Sequence, residues 1–389
     1  MRGRDPAREF PGVPGTASRA ASVGGALGVP AEKPMKKTTP TIEDVARVAG
    51  VSISTVSNVL NRREGRMRAD TLERVRKAID DLGFRPNQSA RHLKTGHMAM
   101  IGLLVPSIAN PFFGTLARWI EAVANERGYG VMLCNTQREA ARELAYAQAL
   151  MALGVRGVVI GSALQAQEHL SPLIERGLAV VSFDRTAREA TSTMDYVSVD
   201  NHRCGSLAAE HLLALGHREL AYVTAPLRAV SRSERLEGVR QACRAAGAHL
   251  QVHTASTPLG QIDMEMTALG HAAAVALQAS DRVPTGYIAM NDLVAVGLLS
   301  GLEQCGRRVP QDVSVMGIDN LFLDSFLRPG LTSIGHPTEQ LATAAIDCLL
   351  ARIHNPDALA HERVFLPELI QRGTTAPRAK ALNLESINT

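Results

Sequence analysis

The 389-residue sequence contains no run of eighteen apolar residues, so no membrane-spanning helix is expected. It has five cysteines, Cys134, Cys204, Cys243, Cys305 and Cys348, odd in number and far apart, with no CxxC pair and no Cys/His cluster. That spacing excludes a disulfide framework and a structural zinc site, and leaves the thiols as reduced core residues of an intracellular chain. Aromatic residues make up only 4%, and Trp119 is the single tryptophan, on what reads as the outer face of a helix. No GxGxxG follows a strand, and GxxxxGKS/T, GxSxG and HExxH are absent, so dinucleotide, P-loop, serine-hydrolase and zinc-protease chemistry are not indicated. No cofactor or metal is expected, and the chain does not read as an enzyme.

What is present begins at Thr41. The segment TIEDVARVAGVSISTVSNVLNRR opens with Thr41 and Asp44 at capping-box spacing. Ile42, Val45, Ala46 and Ala49 then fall on one helical stripe. Gly50 permits the sharp turn, and Ser52 caps a second helix, Ile53 to Leu60, which should bury Val56, Val59 and Leu60. Its outward residues are Ile53, Ser54, Thr55, Ser57 and Asn58. Short polar side chains at the start of a second helix suit reading base edges and phosphates in a major groove. A third helix puts Leu72, Val75, Ile79 and Leu82 on one face, and RPNQSARHLKTG follows as a short polar hinge.

Charge is distributed unevenly. Lys36–Gly96 carries 13 Lys+Arg against 7 Asp+Glu, or +6, residues 1–35 carry +2, and residues 97–389 carry −4. A basic head on a mildly acidic body concentrates attraction for phosphate at one end. Residues 1–38 are rich in Gly, Ala, Pro, Ser and Arg without apolar periodicity and are expected to be disordered. They lack the apolar core of a secretory signal, and Met35 before Lys36 and Lys37 is an alternative start.

From Ala99 onward apolar runs alternate with helical patterns. Strands are expected at 99–105, 130–134, 156–160, 179–183, 220–224, 286–290 and 313–318. Helices are expected at 112–127, 138–153, 203–215, 232–246, 293–305 and 338–353. Such alternation implies an α/β fold with parallel sheets covered on both faces. Asn110, Asn135, Ser162, Asp184, Asn291–Asp292 and Asp319 fall at or just past strand ends, where open α/β sheets bind ligands. Each could equally cap the following helix.

These residues, over about Thr41 to Gly373, resemble the lac repressor/galactose repressor family of bacterial regulators. The resemblance implies a three-helix helix–turn–helix domain over 39–84, a hinge helix over 85–97 and a two-lobed core over 98–375 like periplasmic binding proteins. Lobe one would span about 98–198 and 336–365, and lobe two about 199–335 and 366–375, with a tail at 376–389. It places major-groove contacts on Ile53, Ser54, Thr55, Ser57 and Asn58, and further DNA contacts on Thr41, Ser52 and Asn61. Hinge contacts fall on Asn87, Ala90, Leu93 and Lys94, with Leu93 as an apolar wedge in the minor groove. Asn58 stands where many relatives carry Arg; Arg favours guanine, whereas Asn pairs best with adenine.

For a small effector the resemblance points to Asn110, Phe112, Phe113, Asp184, Ser231, Arg235, Asn291, Asp319 and His336. Phe183 and Phe322 are further candidates for stacking on a sugar, although Phe183 reads first as plain core. The expected protein is a cytoplasmic homodimeric repressor that binds a palindromic operator in double-stranded DNA. Its ligand would be a sugar, sugar acid, sugar phosphate or nucleoside, acting as inducer or corepressor. An activator, a solute-binding protein and an α/β enzyme are the alternatives.

Overall fold

The computed structural model describes residues 40–60, 67–84, 99–161, 168–183, 194–226, 229–254 and 264–378. The expected disordered extension 1–38, the hinge 85–97 and most of the tail lie outside the described residues. The chain divides into two compact units, Met1–Gln88 and Ser89–Thr389.

In the first unit, α1 (Ile42–Ala49), α2 (Ile53–Leu60) and α3 (Ala69–Leu82) surround a small core. The capping box forms as expected. Thr41 Oγ1 accepts from the Asp44 amide and the Asp44 carboxylate accepts from the Thr41 amide, at 3.3 and 3.0 Å. These bonds, the Thr41 amide first, hold the Asp44 carboxyl below its ordinary pKa. Gly50, at φ 64°, turns the chain in the left-handed conformation, and Ser52 Oγ accepts from the Thr55 amide at 3.2 Å. Val45, Ala46, Ala49, Val56, Val59, Val75 and Ala78 are buried. Leu60, Leu72, Ile79 and Leu82, expected inside, are only half-buried against this cluster, and Phe84, which follows α3, is buried in it.

The second unit holds two parallel sheets, as expected. The chain runs β1 (Met100–Val105), α4 (Pro111–Glu126), β2 (Gly130–Asn135), α5 (Ala140–Ala152), β3 (Gly157–Ile160), α6 (Ser171–Ile174), β4 (Ala179–Phe183) and β5 (Asp195–Val199). Next come α7 (Asn201–Ala214), β6 (Glu219–Thr224), α8 (Val230–Ala245), β7 (His249–Thr254), α9 (Met264–Gln278), β8 (Gly286–Ala289), α10 (Asp292–Gln304) and β9 (Ser314–Asp319). It closes with β10 (Thr332–Gly335), α11 (Thr338–His354), β11 (Glu362–Phe365) and β12 (Glu368–Ile370).

One sheet has the order β11-β5-β4-β3-β1-β2, all parallel. The other has the order β12-β10-β9-β8-β6-β7, with β12 alone antiparallel. The chain therefore passes between the lobes at β5–α7, β10–α11 and β11–β12. The central strands MIGLLV, GVVI, AVVSF and GYIA are almost wholly apolar because helices cover both faces.

Helices α7 and α8 of the second lobe approach closely. A Cβ built on Gly205 of α7 would lie 1.8 Å from the Arg235 carbonyl oxygen, and one on Gly238 of α8 would lie 2.0 Å from that of His202. Glycine at both positions lets the two backbones touch. Among the elements, β5, β7, β10, β11, β12, α6 and α9 were not in the sequence expectation. Three of the four edge strands, β7, β11 and β12, are half-exposed or exposed and carry no apolar run.

Candidate functional site

On the head, α2 presents its outer face as the sequence suggests. Ile53 is 47% exposed, Ser54 and Asn58 are exposed, and Thr55 and Ser57 are half-buried. Ser52 Oγ lies 2.7 Å from Ser54 Oγ and 2.9 Å from Thr55 Oγ1, so the hydroxyls form a cluster that also caps the helix. Asn61, Asn87, Ala90, Leu93 and Lys94 lie outside the described residues.

In the second unit, a cleft of about 70 Å³ lies between the lobes at the carboxyl ends of the strands. Asn110, Phe112 and Phe113 line it from the first lobe, and Ser231, Arg235, Asn291 and Asp319 from the second. Residues far apart in sequence converge because each follows a central strand of one of the two sheets. A larger cavity of about 1180 Å³ adjoins it, sharing Phe112 and Asp319, and holds His336 in its wall.

Arg235 is the centre of the cleft. It is 8% exposed, and its Nε donates to Asn201 Oδ1 at 2.8 Å and its Nη1 to the Met290 carbonyl at 3.0 Å. Nη1 also stands 3.6 Å from Asp319 Oδ1. His336 Nε2 lies 3.2 Å from Asp319 Oδ1 and 3.4 Å from Arg235 Nη2. One ring nitrogen cannot donate and accept at once, and a carboxylate only accepts, so the proton belongs on Nε2 and points to Asp319. Asp319 has φ 124°, a conformation that costs a non-glycine residue on the order of 1–3 kcal/mol, and the surrounding structure must hold it there. The edge of the Phe112 ring meets His336, with centroids 5.5 Å apart.

Asn110 Oδ1 accepts from the Phe112 amide and Asn291 Oδ1 from the Val294 amide, each at 3.0 Å, so both cap helices, as the sequence allowed, and also line the cleft. Other expectations need correction. Asn135 ends the edge strand β2 and does not line the cleft. Phe183 is 2% exposed and belongs to the core, the role the sequence favoured for it over stacking on a ligand. Phe322 is 65% exposed and lines neither cavity, because it sits on a short surface turn rather than facing inward. Trp119 is half-buried, not outward, and walls the larger cavity. Asp184 and Ser162 lie outside the described residues.

Sequence reasoning missed Asn201, which orients Arg235, and also Arg138, Arg232, Met266 and Met290 in the cleft wall. Asn201 follows β5, whose sequence DYVSV has too few apolar residues to read as a strand. Arg138 follows Gln137, and the two have φ 62° and 54°, a turn that nothing in their side chains announces.

A helix–turn–helix head with a basic charge balance, and a two-lobed α/β body with a polar cleft at its strand ends, define a ligand-responsive DNA-binding regulator. Residues 41–87 match the description "Bacterial regulatory proteins, lacI family", and residues 209–375 match "Periplasmic binding protein-like domain". The chain is 33% identical to the ribose operon repressor of Escherichia coli (strain K12), over 86% of this chain and 99% of that one. It is 33% identical to the transcriptional repressor PurR of Vibrio campbellii, over 86% and 98%. Among solved structures, the lac repressor dimer bound to operator and the anti-inducer ONPF is similar at TM-score 0.75 and 25% identity, covering 87% of this chain and 100% of that chain. A LacI family regulator from Enterococcus faecium with bound ribose is similar at TM-score 0.63 and 31% identity, covering 72% and 100%. The chain belongs to the lacI family of bacterial regulatory proteins. No helix among the described residues is long and apolar enough to cross a membrane.

Proposed function

We propose that the chain is a cytoplasmic, homodimeric repressor of carbohydrate genes, with no catalytic activity, whose operator affinity is set by a sugar in the interlobe cleft. The observation that carries the reading is Arg235, a buried guanidinium oriented by Asn201 and facing Asp319 and His336 across from Phe112 and Phe113. A carboxylate and a guanidinium bracket neighbouring hydroxyls, and an aromatic face covers the apolar side of a sugar ring. The relative with bound ribose supports a sugar of that size. Asn110, Ser231, Asn291 and Asp184 complete the proposed contacts, and Ile53, Ser54, Thr55, Ser57 and Asn58 read the operator half-site.

The hinge 85–97, with Leu93 as its wedge, gains order on DNA in this reading, and the ligand biases which lobe arrangement allows it. Phe322, Leu323 and Phe326 form an exposed apolar patch on the second lobe that a second copy would cover, in keeping with the dimeric lac repressor. The test is to capture fragments of the source genome with purified protein, with and without D-ribose and a panel of sugars. A shared palindrome of roughly 14–20 base pairs, gained or lost with one of the sugars, is the expected result. Fragments without a common sequence under every condition would overturn the reading.

A further inference from the structure

Behind the cleft, two acidic side chains that the proposed function does not use lie against each other. Asp292, at the start of α10, is fully buried, and Asp324, on the short turn after β9, is 1% exposed. Leu321 joins them: its carbonyl accepts from the Asp324 amide at 3.0 Å and its amide donates to Asp292 Oδ2 at 2.9 Å, which sets the two buried carboxyl groups side by side. Two adjacent buried carboxylates repel, so one of the pair carries a proton.

The other contacts decide which one. Asp292 Oδ2 accepts from the Leu321 amide at 2.9 Å, and its Oδ1 accepts from Ser333 Oγ at 2.7 Å. Both are roles of an ionised acceptor. Asp324 Oδ2 is buried and meets no hydrogen-bond donor. The nearest cation, Arg372, stands 4.0 Å away and donates instead to the Leu331 carbonyl and Asn320 Oδ1, at 2.7 and 2.6 Å. The proton therefore belongs to Asp324. Burial first, then the charge of Asp292, pushes its carboxyl well above the usual range, and burial raises that of Asp292 as well. Asp319 adds like charge to both, and Arg372 opposes it at Asp324.

The pair acts on the cleft through the backbone. Asp292 holds the Leu321 amide directly, and Ser333, which donates to Asp292, accepts from the Asn320 amide at 3.1 Å. These are the two amides that follow Asp319, and Asp319 and Asn320 both have positive φ. Gly317 makes room for the arrangement, since a Cβ there would lie 2.0 Å from Asp292 Oδ1. We propose that Asp324 is a positioning residue: by sharing its proton with Asp292 it fixes the Asp319–Leu321 turn and so the aim of the Asp319 carboxylate into the cleft.

Loss of that proton would put two adjacent negative charges in the interior and loosen the turn. Because the folded-state carboxyl is raised, the contribution is full at low pH and falls as pH rises towards the folded value. The consequence for a ligand rests on the cleft reading, but the test needs no ligand. Hydrogen exchange is followed for the peptide spanning Asp319–Ser325 in the full-length protein, corrected for intrinsic rates, in wild type and Asp324→Asn. Asn keeps a donor for Asp292 and cannot ionise. Wild-type protection should fall at least about tenfold between about pH 6 and about pH 8, while Asp324→Asn stays level. An equal fall in both would overturn the proposal. Should Asp324→Asn not fold, wild-type protein labelled with 13C at aspartate carboxyls decides. One carboxyl still protonated at neutral pH supports the pair, and ionisation of all of them refutes it.

Discussion

Gly205→Ala puts the packing that orients Arg235 to a quantitative test. The added Cβ would sit 1.8 Å from the Arg235 carbonyl oxygen and 2.7 Å from its carbonyl carbon. Both are backbone atoms of a helix, so no side chain can swing aside, and α7 and α8 must part by more than an ångström. Overpacking of this kind costs about 1–3 kcal/mol, and a backbone clash belongs at the upper end. Alanine returns about 1 kcal/mol of helix propensity. The net loss should be about 2 kcal/mol. Gly114→Ala is the control, because Gly114 is also helical and its Cβ would meet nothing within 4 Å. That variant should gain about 0.5–1 kcal/mol from reduced backbone entropy. Denaturant midpoints at constant slope separate the two, which differ by about 3 kcal/mol in expectation. The Arg235–Asn201 bond spans the same two helices, so ligand binding should weaken in Gly205→Ala and not in Gly114→Ala. Equal stability of the two variants would refute the close-contact argument.

Other tests follow from single residues. His217 is bonded by Thr285 and Ser314, each at 3.0 Å, and burial lowers its pKa. The unfolded chain then takes the proton first, so stability is full above about pH 6.5 and drains away as pH falls below it. His217→Gln should flatten part of that slope in thermal melts, and an unchanged slope would exclude His217. On the exposed face of α2, Asn58→Arg should move half-site preference from adenine towards guanine at one position, by about 1–3 kcal/mol in competition binding. A shift that is uniform across all sequences would mean that this side chain touches phosphate rather than a base.

The sequence announced the fold wherever apolar period was strong. The helix–turn–helix was legible from Thr41, Gly50 and Ser52 because caps and a left-handed turn have local chemistry. The central strands were legible because burial on both faces leaves apolar runs such as MIGLLV and GVVI. Edge strands such as β7, with sequence HLQVHT, and β11, with ERVF, were silent because pairing on one side and exposure on the other leave no such run. Helix α9, MEMTALGHAAAVALQ, was missed because small residues packed on α10 blur its polar face. Polar cleft residues that end or follow the central strands, Asn110, Asn291 and Asp319, were found, whereas the apolar Met290 was not. Asn201 was not, because its strand was not, and the Asp292–Asp324 pair could not be, since only the folded chain brings residues 292 and 324 together.

The central claim is that ligand held by Arg235 controls the grip of the head on DNA. Operator affinity should be measured in wild type and Arg235→Ala, with and without whichever sugar raises the wild-type melting temperature. That sugar should change wild-type affinity by about 5–150-fold, the usual range of allosteric coupling, and leave Arg235→Ala unchanged at its unliganded affinity. Equal operator affinity with and without a sugar that saturates the wild-type protein, or a full response in Arg235→Ala, would contradict it.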